Sequence, residues 1–279
     1  MPEVEILARH LAPLLCGQTI RGVEVRRVKV LRPTSTRELG AKLAGAKFLH
    51  VRRRGKYLLF DLKRQGAGQF TCLGHLGMTG RMFLQPHAAG LPKHAALVIN
   101  LGRLHFVYED PRYFGRFTLD LSPVELLGPE PLSGAFTTDG FALALKRSAQ
   151  PIKVKLLDQC LVAGIGNIYA SEALFRARIS PRRAARRLKR EEVRRLHEQI
   201  RIVLQDAIDC GSTIPLDYAG KKTGDRLFYF GRAAGAPDYY EERLRVYGRA
   251  GKPCANCRTK IKRIVQAARS TFYCPKCQR

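Results

Sequence analysis

The chain has 279 residues, 45% of them apolar, which is enough for two or three domains with proper cores and too apolar for a disordered tail. It carries 50 Lys and Arg against 23 Asp and Glu, a formal net charge of +27, and such an excess opposes compaction unless a polyanion neutralises it. Nucleic acid is therefore the first candidate partner and an anionic membrane surface the second. No apolar run approaches the roughly 18 residues that span a bilayer. No basic stretch followed by an apolar core opens the chain, so we expect no secretory signal and a cytoplasmic protein, which in a bacterium shares its compartment with the nucleoid.

The chain opens Met1-Pro2-Glu3-Val4-Glu5. Removal of Met1 would leave Pro2 with a free secondary amine, and an α-amino group titrates near pH 7.7–8.0, so it is partly neutral and nucleophilic. With Glu3 beside it, an amine that attacks a sugar carbon and an acid that protonates a leaving oxygen make a workable pair. The same residues equally suit a helix start, with Pro at the first position and Glu in the first turn. Val4, Leu7, Leu11, Leu14 and Leu15 then recur at helical spacing until Gly17. Strand-like segments follow at Ile20 to Val30, Tyr57 to Leu62, Leu97 to Leu101, Leu104 to Tyr108 and Phe117 to Leu121. This half reads as a β-sandwich carrying an N-terminal helix.

Residues 122–150, rich in Pro, Gly and Ser, read as a linker. The turn Gly164-Ile165-Gly166-Asn167 leads into a helix, where exposed backbone N–H groups can hold a phosphate. It lacks the third glycine of a dinucleotide fingerprint, and a plain helix–helix turn is the alternative. Residues 176–201 carry eleven Lys or Arg and three acids. Within and beyond them Val193, Leu196, Ile200, Val203 and Ala207 mark a helix ending at Gly211. Residues 219–240 hold several glycines and five aromatics and read as a long loop.

Of the eight cysteines, Cys16, Cys72, Cys160 and Cys210 are scattered among apolar residues and read as small hydrophobes in a reducing compartment. Cys254 and Cys257 form one Cys-x2-Cys pair; Cys274 and Cys277 form a second after a span that fits a β-hairpin. Four thiolates suit one structural Zn²⁺ and leave no open position for catalysis. Residues 248–279 carry nine Lys or Arg and no acid, so the metal reads as holding a basic finger against DNA.

Together these segments resemble the formamidopyrimidine-DNA glycosylase and endonuclease VIII family, closer to the formamidopyrimidine branch. The resemblance rests on Pro-Glu-Val-Glu at 2–5, Arg-Gly-Lys-Tyr-Leu-Leu at 54–59, His-Leu-Gly-Met-Thr-Gly at 75–80 and Asp-Pro-Arg-Tyr-Phe-Gly at 110–115. It continues through Leu-Gly-Pro-Glu-Pro-Leu at 127–132, Gly-Ile-Gly-Asn-Ile-Tyr-Ala-Ser-Glu at 164–172 and the four-cysteine finger. It implies an α+β, bilobal fold: an N-terminal β-sandwich domain with an N-terminal helix (1–121), a linker, a helix–two-turn–helix domain (151–246) and a zinc finger (247–279).

The resemblance further implies a monomeric DNA repair enzyme that binds damaged double-stranded DNA. It would act as a bifunctional DNA glycosylase and abasic-site lyase through a Schiff base, with no catalytic cofactor. By position, Pro2 is the amine and Glu3 the acid that protonates the sugar ring oxygen. Lys56 contacts phosphates flanking the lesion, and Lys153, Gly166, Asn167 and Arg269 grip the backbone. Met78, Arg112 and Phe114 fill the void left by an extruded nucleotide; the alternative for Met78 and Phe114 is a place in the core. The family usually opens Pro-Glu-Leu-Pro-Glu-Val-Glu-Thr, and this chain is three residues shorter there. If Leu-Pro-Glu is the missing part, Pro2 is the nucleophile. If the leading Pro-Glu-Leu is missing, Pro2 only begins the helix, and the protein either binds lesions without cutting or uses Lys56 as substitute amine.

Overall fold

The computed structural model describes residues 1–66, 68–209 and 244–279; the expected loop at 219–240, Cys210 and Gly211 lie outside the described residues. The described residues fall into two compact units. Glu3 to Glu125 form one, and Met1, Pro2 and the residues from Leu126 onward form the other.

The first unit is an antiparallel β-sandwich. It contains α1 (Pro2–Leu15), β1 (Gly22–Val25), α2 (Thr36–Leu43), β2 (Lys47–Arg54), β3 (Tyr57–Arg64), β4 (Gly68–His75), β5 (Arg81–Pro86), β6 (Ala95–Asn100), β7 (Leu104–Glu109), β8 (Arg116–Thr118) and the short α3 (Ser122–Glu125). One sheet has the order β1-β6-β7-β5, the other β2-β3-β4-β8. Phe60 sits at the centre of the core, 6.2, 5.6 and 5.5 Å from the rings of Phe48, Phe106 and Phe117. The helical stripe at Val4, Leu7, Leu11 and Leu15 buries against the same core, which is why α1 forms over a segment interrupted by Pro13.

The apolar pattern marks β3, β6, β7 and β8 but not β2, β4 and β5. Charged Arg52 to Arg54 end β2, and glycines stand near both ends of β4, so neither alternates cleanly. Both are strands because β3 pairs with them along its length. The segment read as one strand from Ile20 to Val30 shortens to β1 and a 3₁₀ turn at Val28–Leu31. The turn lets Val30 and Leu31, adjacent residues, both enter the core.

The second unit is helical with a small hairpin: α4 (Thr138–Lys146), α5 (Ile152–Leu156), α6 (Asn167–Arg176), α7 (Arg190–Asp209), β9 (Lys262–Gln266) and β10 (Arg269–Tyr273). Residues 122–150 thus contain two helices, and Thr137 caps α4 by accepting the Gly140 N–H. The stripe of Val193, Leu196, Ile200, Val203 and Ala207 is buried in this unit's core. Among the described residues no helix is long and apolar enough to cross a membrane.

The β9–β10 turn is two residues, Ala267 and Ala268, with φ of 46° and 58°. A Cβ in this left-handed region costs about 1 kcal/mol per residue. The double change Ala267→Asn with Ala268→Gly is therefore expected to stabilise the hairpin by about 1 kcal/mol, read as a higher thermal midpoint.

Candidate nucleic-acid interface

Two tight loops of the sandwich unit present Met78, Arg112 and Phe114. Asp110, fully buried, is their frame. Its Oδ1 accepts from the Arg112 N–H at 3.2 Å and the Thr79 hydroxyl at 3.3 Å, and its Oδ2 accepts from the Gly115 N–H at 2.8 Å. Glycine is required at Gly115, where a Cβ would fall 1.8 Å from the Tyr108 hydroxyl, and at Gly77, whose φ is +64° and whose Cβ would meet Gly115 N at 2.7 Å. Met78 is consequently 71% exposed and Phe114 53% exposed, with the Arg112 guanidinium 4.9 Å from the Phe114 ring centre. Exposure excludes the core alternative for both apolar residues.

Asp110→Ala would strand two backbone N–H groups and is expected to destabilise the protein by about 3 kcal/mol. Duplex binding should fall with it, because the loops lose their shape; unchanged binding in a titration would refute this framing role.

Lys56 follows Gly55 in the β2–β3 turn and is half-buried. Its charge acts on His75, whose imidazole is pushed down to about 4 by burial first, then by Lys56 and Arg116. His75 is therefore neutral at physiological pH, and its Nδ1 accepts the Gly77 N–H at 3.2 Å, fixing the Met78 loop.

Pro2 is the first residue of α1, with Glu3 and Glu5 in the first turn. Pro2 is buried and Glu3 half-buried. Met1 is 3% exposed within the helical unit's core, and its amino group donates to the Gly164 carbonyl at 3.1 Å. Burial raises the Glu5 carboxyl, but hydrogen bonds and charges from Arg53 and Arg9, each at 2.7 Å, outweigh it and hold it below the usual range.

In the helical unit the structure brings Lys153, Gly166, Asn167 and Arg269 together. Gly166 caps α6 in extended conformation and Asn167 is the helix's first residue, which places its side chain at the N-terminal end of the helix. Asn167 Nδ2 donates to the Ser270 carbonyl at 2.9 Å, and its Oδ1 accepts from Lys153 Nζ. Lys153 is buried, and burial, then the Arg269 charge, lowers its pKa to about 8.

Two supports escaped the sequence reading. Tyr247 places its hydroxyl 3.4 Å from Asn167 Nδ2 and packs edge-on against Phe272. Glu172, buried, accepts the N–H groups of Arg245, Val246 and Tyr247, each at 2.9 Å, and so anchors that tyrosine. Glu172 stood in a recognisable motif, but only the fold shows which backbone it holds.

The ligand atoms of Cys254, Cys257, Cys274 and Cys277 lie within 4.8 Å of one another. Tetrahedral zinc with bonds of about 2.3 Å sets its sulfurs about 3.8 Å apart; here Cys254–Cys277 are at 3.9 Å and Cys257–Cys274 at 3.4 Å. The Asn256 and Cys277 N–H groups point at the Cys254 and Cys274 sulfurs, as suits thiolates. The donor set fits one structural zinc ion and offers no open coordination position.

A sandwich with exposed apolar residues on two tight loops, and a helical unit whose helix start, buried lysine and four-cysteine hairpin converge, define a zinc-finger DNA-binding protein. Family models match in series: the formamidopyrimidine-DNA glycosylase N-terminal domain over residues 1–117, its H2TH domain over 127–217 and the zinc finger found in FPG and IleRS over 251–279. The chain belongs to the formamidopyrimidine-DNA glycosylase family. It is 44% identical over 285 residues to the formamidopyrimidine-DNA glycosylase of Thermus thermophilus, covering 100% of this chain and 97% of that one. It is 37% identical to that of Carboxydothermus hydrogenoformans, covering 100% and 99%. It also resembles the crystal structure of Lactococcus lactis Fpg in complex with DNA containing N7-benzyl-Fapy-dG, with a TM-score of 0.86, 33% identity and coverage of 100% and 98%.

Proposed function

We infer that the chain excises damaged, oxidised or ring-opened bases from double-stranded DNA as a bifunctional glycosylase and abasic-site lyase. The observation that carries this reading is the exposed Met78, Arg112 and Phe114 set on a frame built around Asp110. Extruding a nucleotide leaves a hole in the stack, and apolar wedges with an Arg fill it and offset the few kcal/mol of unstacking. Lys56, Lys153, Gly166, Asn167 and Arg269 grip phosphates, using the α6 N-terminus and the basic finger. In this reading residues 1–121 carry the chemistry, while 151–246 and 247–279 hold the duplex. The protein works as a monomer on the bacterial chromosome.

The chemistry runs through Pro2 once Met1 is removed. The amine lone pair attacks C1′ of the damaged nucleoside as Glu3 protonates the ring oxygen, and the C1′–base bond breaks with its electron pair leaving on the base. The amine proton is then lost, the nitrogen lone pair forms the C1′=N bond of the Schiff base, and the C1′–O4′ bond breaks with its electron pair going to the protonated ring oxygen as a hydroxyl. Abstraction of a C2′ proton then expels the 3′ phosphate, and hydrolysis frees the enzyme.

The test is borohydride reduction on abasic-site DNA, with an intact mass to establish the N-terminus. A covalent adduct on protein lacking Met1 is expected; its absence on such protein refutes the lyase.

A second reading is favoured by the burial of Met1 and the hold of Gly164 on its amine. With Met1 in place the Pro2 nitrogen is an amide and cannot attack. The protein would then bind lesions without cutting them, giving tight, salt-sensitive complexes and no adduct.

A buried lysine with a pKa of about 8 also makes binding pH-dependent. Phosphate binding favours charged Lys153, so affinity should fall as pH rises through about 8. Folding has the opposite sign. Between the folded value and the ordinary lysine value near 10.4 the unfolded chain holds more protons, so stability rises with pH there. Lys153→Met should flatten both curves, measured by titration and by melting.

A further inference from the structure

The geometry points to a second binding surface on the helical unit, a groove between α4 and the start of α7 that receives a partner protein's linear segment in which acidic residues flank apolar ones. The groove measures about 320 Å³, room for about one or two large side chains. Its floor is apolar, formed by Ala142, Leu143, Leu188 and Val193. Leu143 is 56% exposed, although the same helix buries Phe141 to 3% and Leu145 to 1%.

The rim is cationic. Lys146 and Arg190 line the groove, with Asp139 as the one acid among the described residues that line it. Arg147, Arg186 and Arg187 flank these positions in sequence and carry further positive charge. Elsewhere in the same basic run, Arg183 and Arg194 are matched by Glu192 and Glu191. The Arg190–Asp139 contact, at 3.3 Å between side chains 85% and 83% exposed, is a pair that an incoming carboxylate readily exchanges.

The apolar floor decides the occupant. A phosphate backbone gains nothing from Leu143, whereas a Leu or Phe side chain does, and carboxylates beside it meet the rim. The groove shares no residue with the Lys153, Asn167 and Arg269 cluster, so this inference stands independently of the reaction proposed above. It also gives a use to the 176–201 charge run that the phosphate contacts leave aside.

Fluorescence anisotropy on the full chain tests it, using a short fluorescein-labelled peptide of Asp and Glu carrying one Leu and one Phe. Binding is expected to weaken about tenfold when Leu143→Asp is introduced, and similarly for Lys146→Glu combined with Arg190→Glu. The same peptide with its Leu and Phe replaced by Ser should lose affinity to the same degree on the unaltered protein, which keeps the test independent of any folding defect. No binding, or equal binding of the Ser-substituted peptide, overturns the proposal. So does a result in which Lys146→Glu with Arg190→Glu weakens binding of undamaged duplex while leaving the peptide unaffected, since the rim would then be a phosphate contact.

Discussion

Changing Glu3 to Gln should lower base excision by about a thousandfold while duplex affinity stays within about twofold. In the proposed reaction the carboxyl is the group adjacent to the attacking amine, and Gln keeps its shape while losing its proton. Glu3 is half-buried in the first turn of α1, and a melting curve of the variant separates any change in stability from loss of the chemistry. The companion variant is Pro2→Leu. A bulky second residue prevents removal of Met1, the nitrogen at position 2 remains an amide, and no borohydride adduct should form. Single-turnover excision and trapping on the same DNA separate the two roles. If Glu3→Gln cuts normally, another group supplies the acid. If Pro2→Leu still yields an adduct that Lys56→Ala abolishes, the amine is Lys56.

Replacing Cys254 by Ser should reduce duplex affinity by about a hundredfold and release the metal. Finger peptides gain about 10–16 kcal/mol from structural zinc, so losing one thiolate removes much of what folds the hairpin. Cys254 and Cys274 are fully buried, and their small cluster includes Val246, Ile261 and Phe175. Once β9 and β10 loosen, the Ser270 carbonyl leaves Asn167 and Arg269 is no longer held beside Lys153. Two of the proposed phosphate contacts would then go together, which is why the expected effect exceeds that of either side chain alone. Metal content and anisotropy on the holoprotein measure it. Cys16→Ser, at an exposed thiol outside the cluster, is the control and should change neither. Unchanged metal content in Cys254→Ser would refute the four-thiolate site.

Much of the candidate site was legible because it is made of residue types that few other uses explain. Two Cys-x2-Cys pairs with a hairpin between them leave little choice but a metal, and their sulfurs do converge. The void-filling candidates stood among glycines, and the structure shows why: at Gly77 and Gly115 any side chain would strike a neighbouring loop or the Tyr108 ring. Asp110 was visible in its motif, but its three acceptor contacts depend on two loops far apart in sequence meeting, which no local pattern encodes. Strands β2 and β4 have no clear alternation in the sequence for a related reason. Their arginines and glycines hide the alternation, and pairing with β3 supplies what local preference lacks.

Charge, cysteine spacing and glycine turns act locally and admit few alternatives. They suffice to define a basic, two-part DNA-binding chain with a thiolate finger before any folding is considered. Three-dimensional packing settled the remainder. It put Met78 and Phe114 outside the core, buried Lys153 against Asn167 and Ser270, and seated Met1 in the helical core with its amine on Gly164. Exposure, desolvation and the partners of a buried polar group are sums over distant neighbours, and they exist only once the chain has folded.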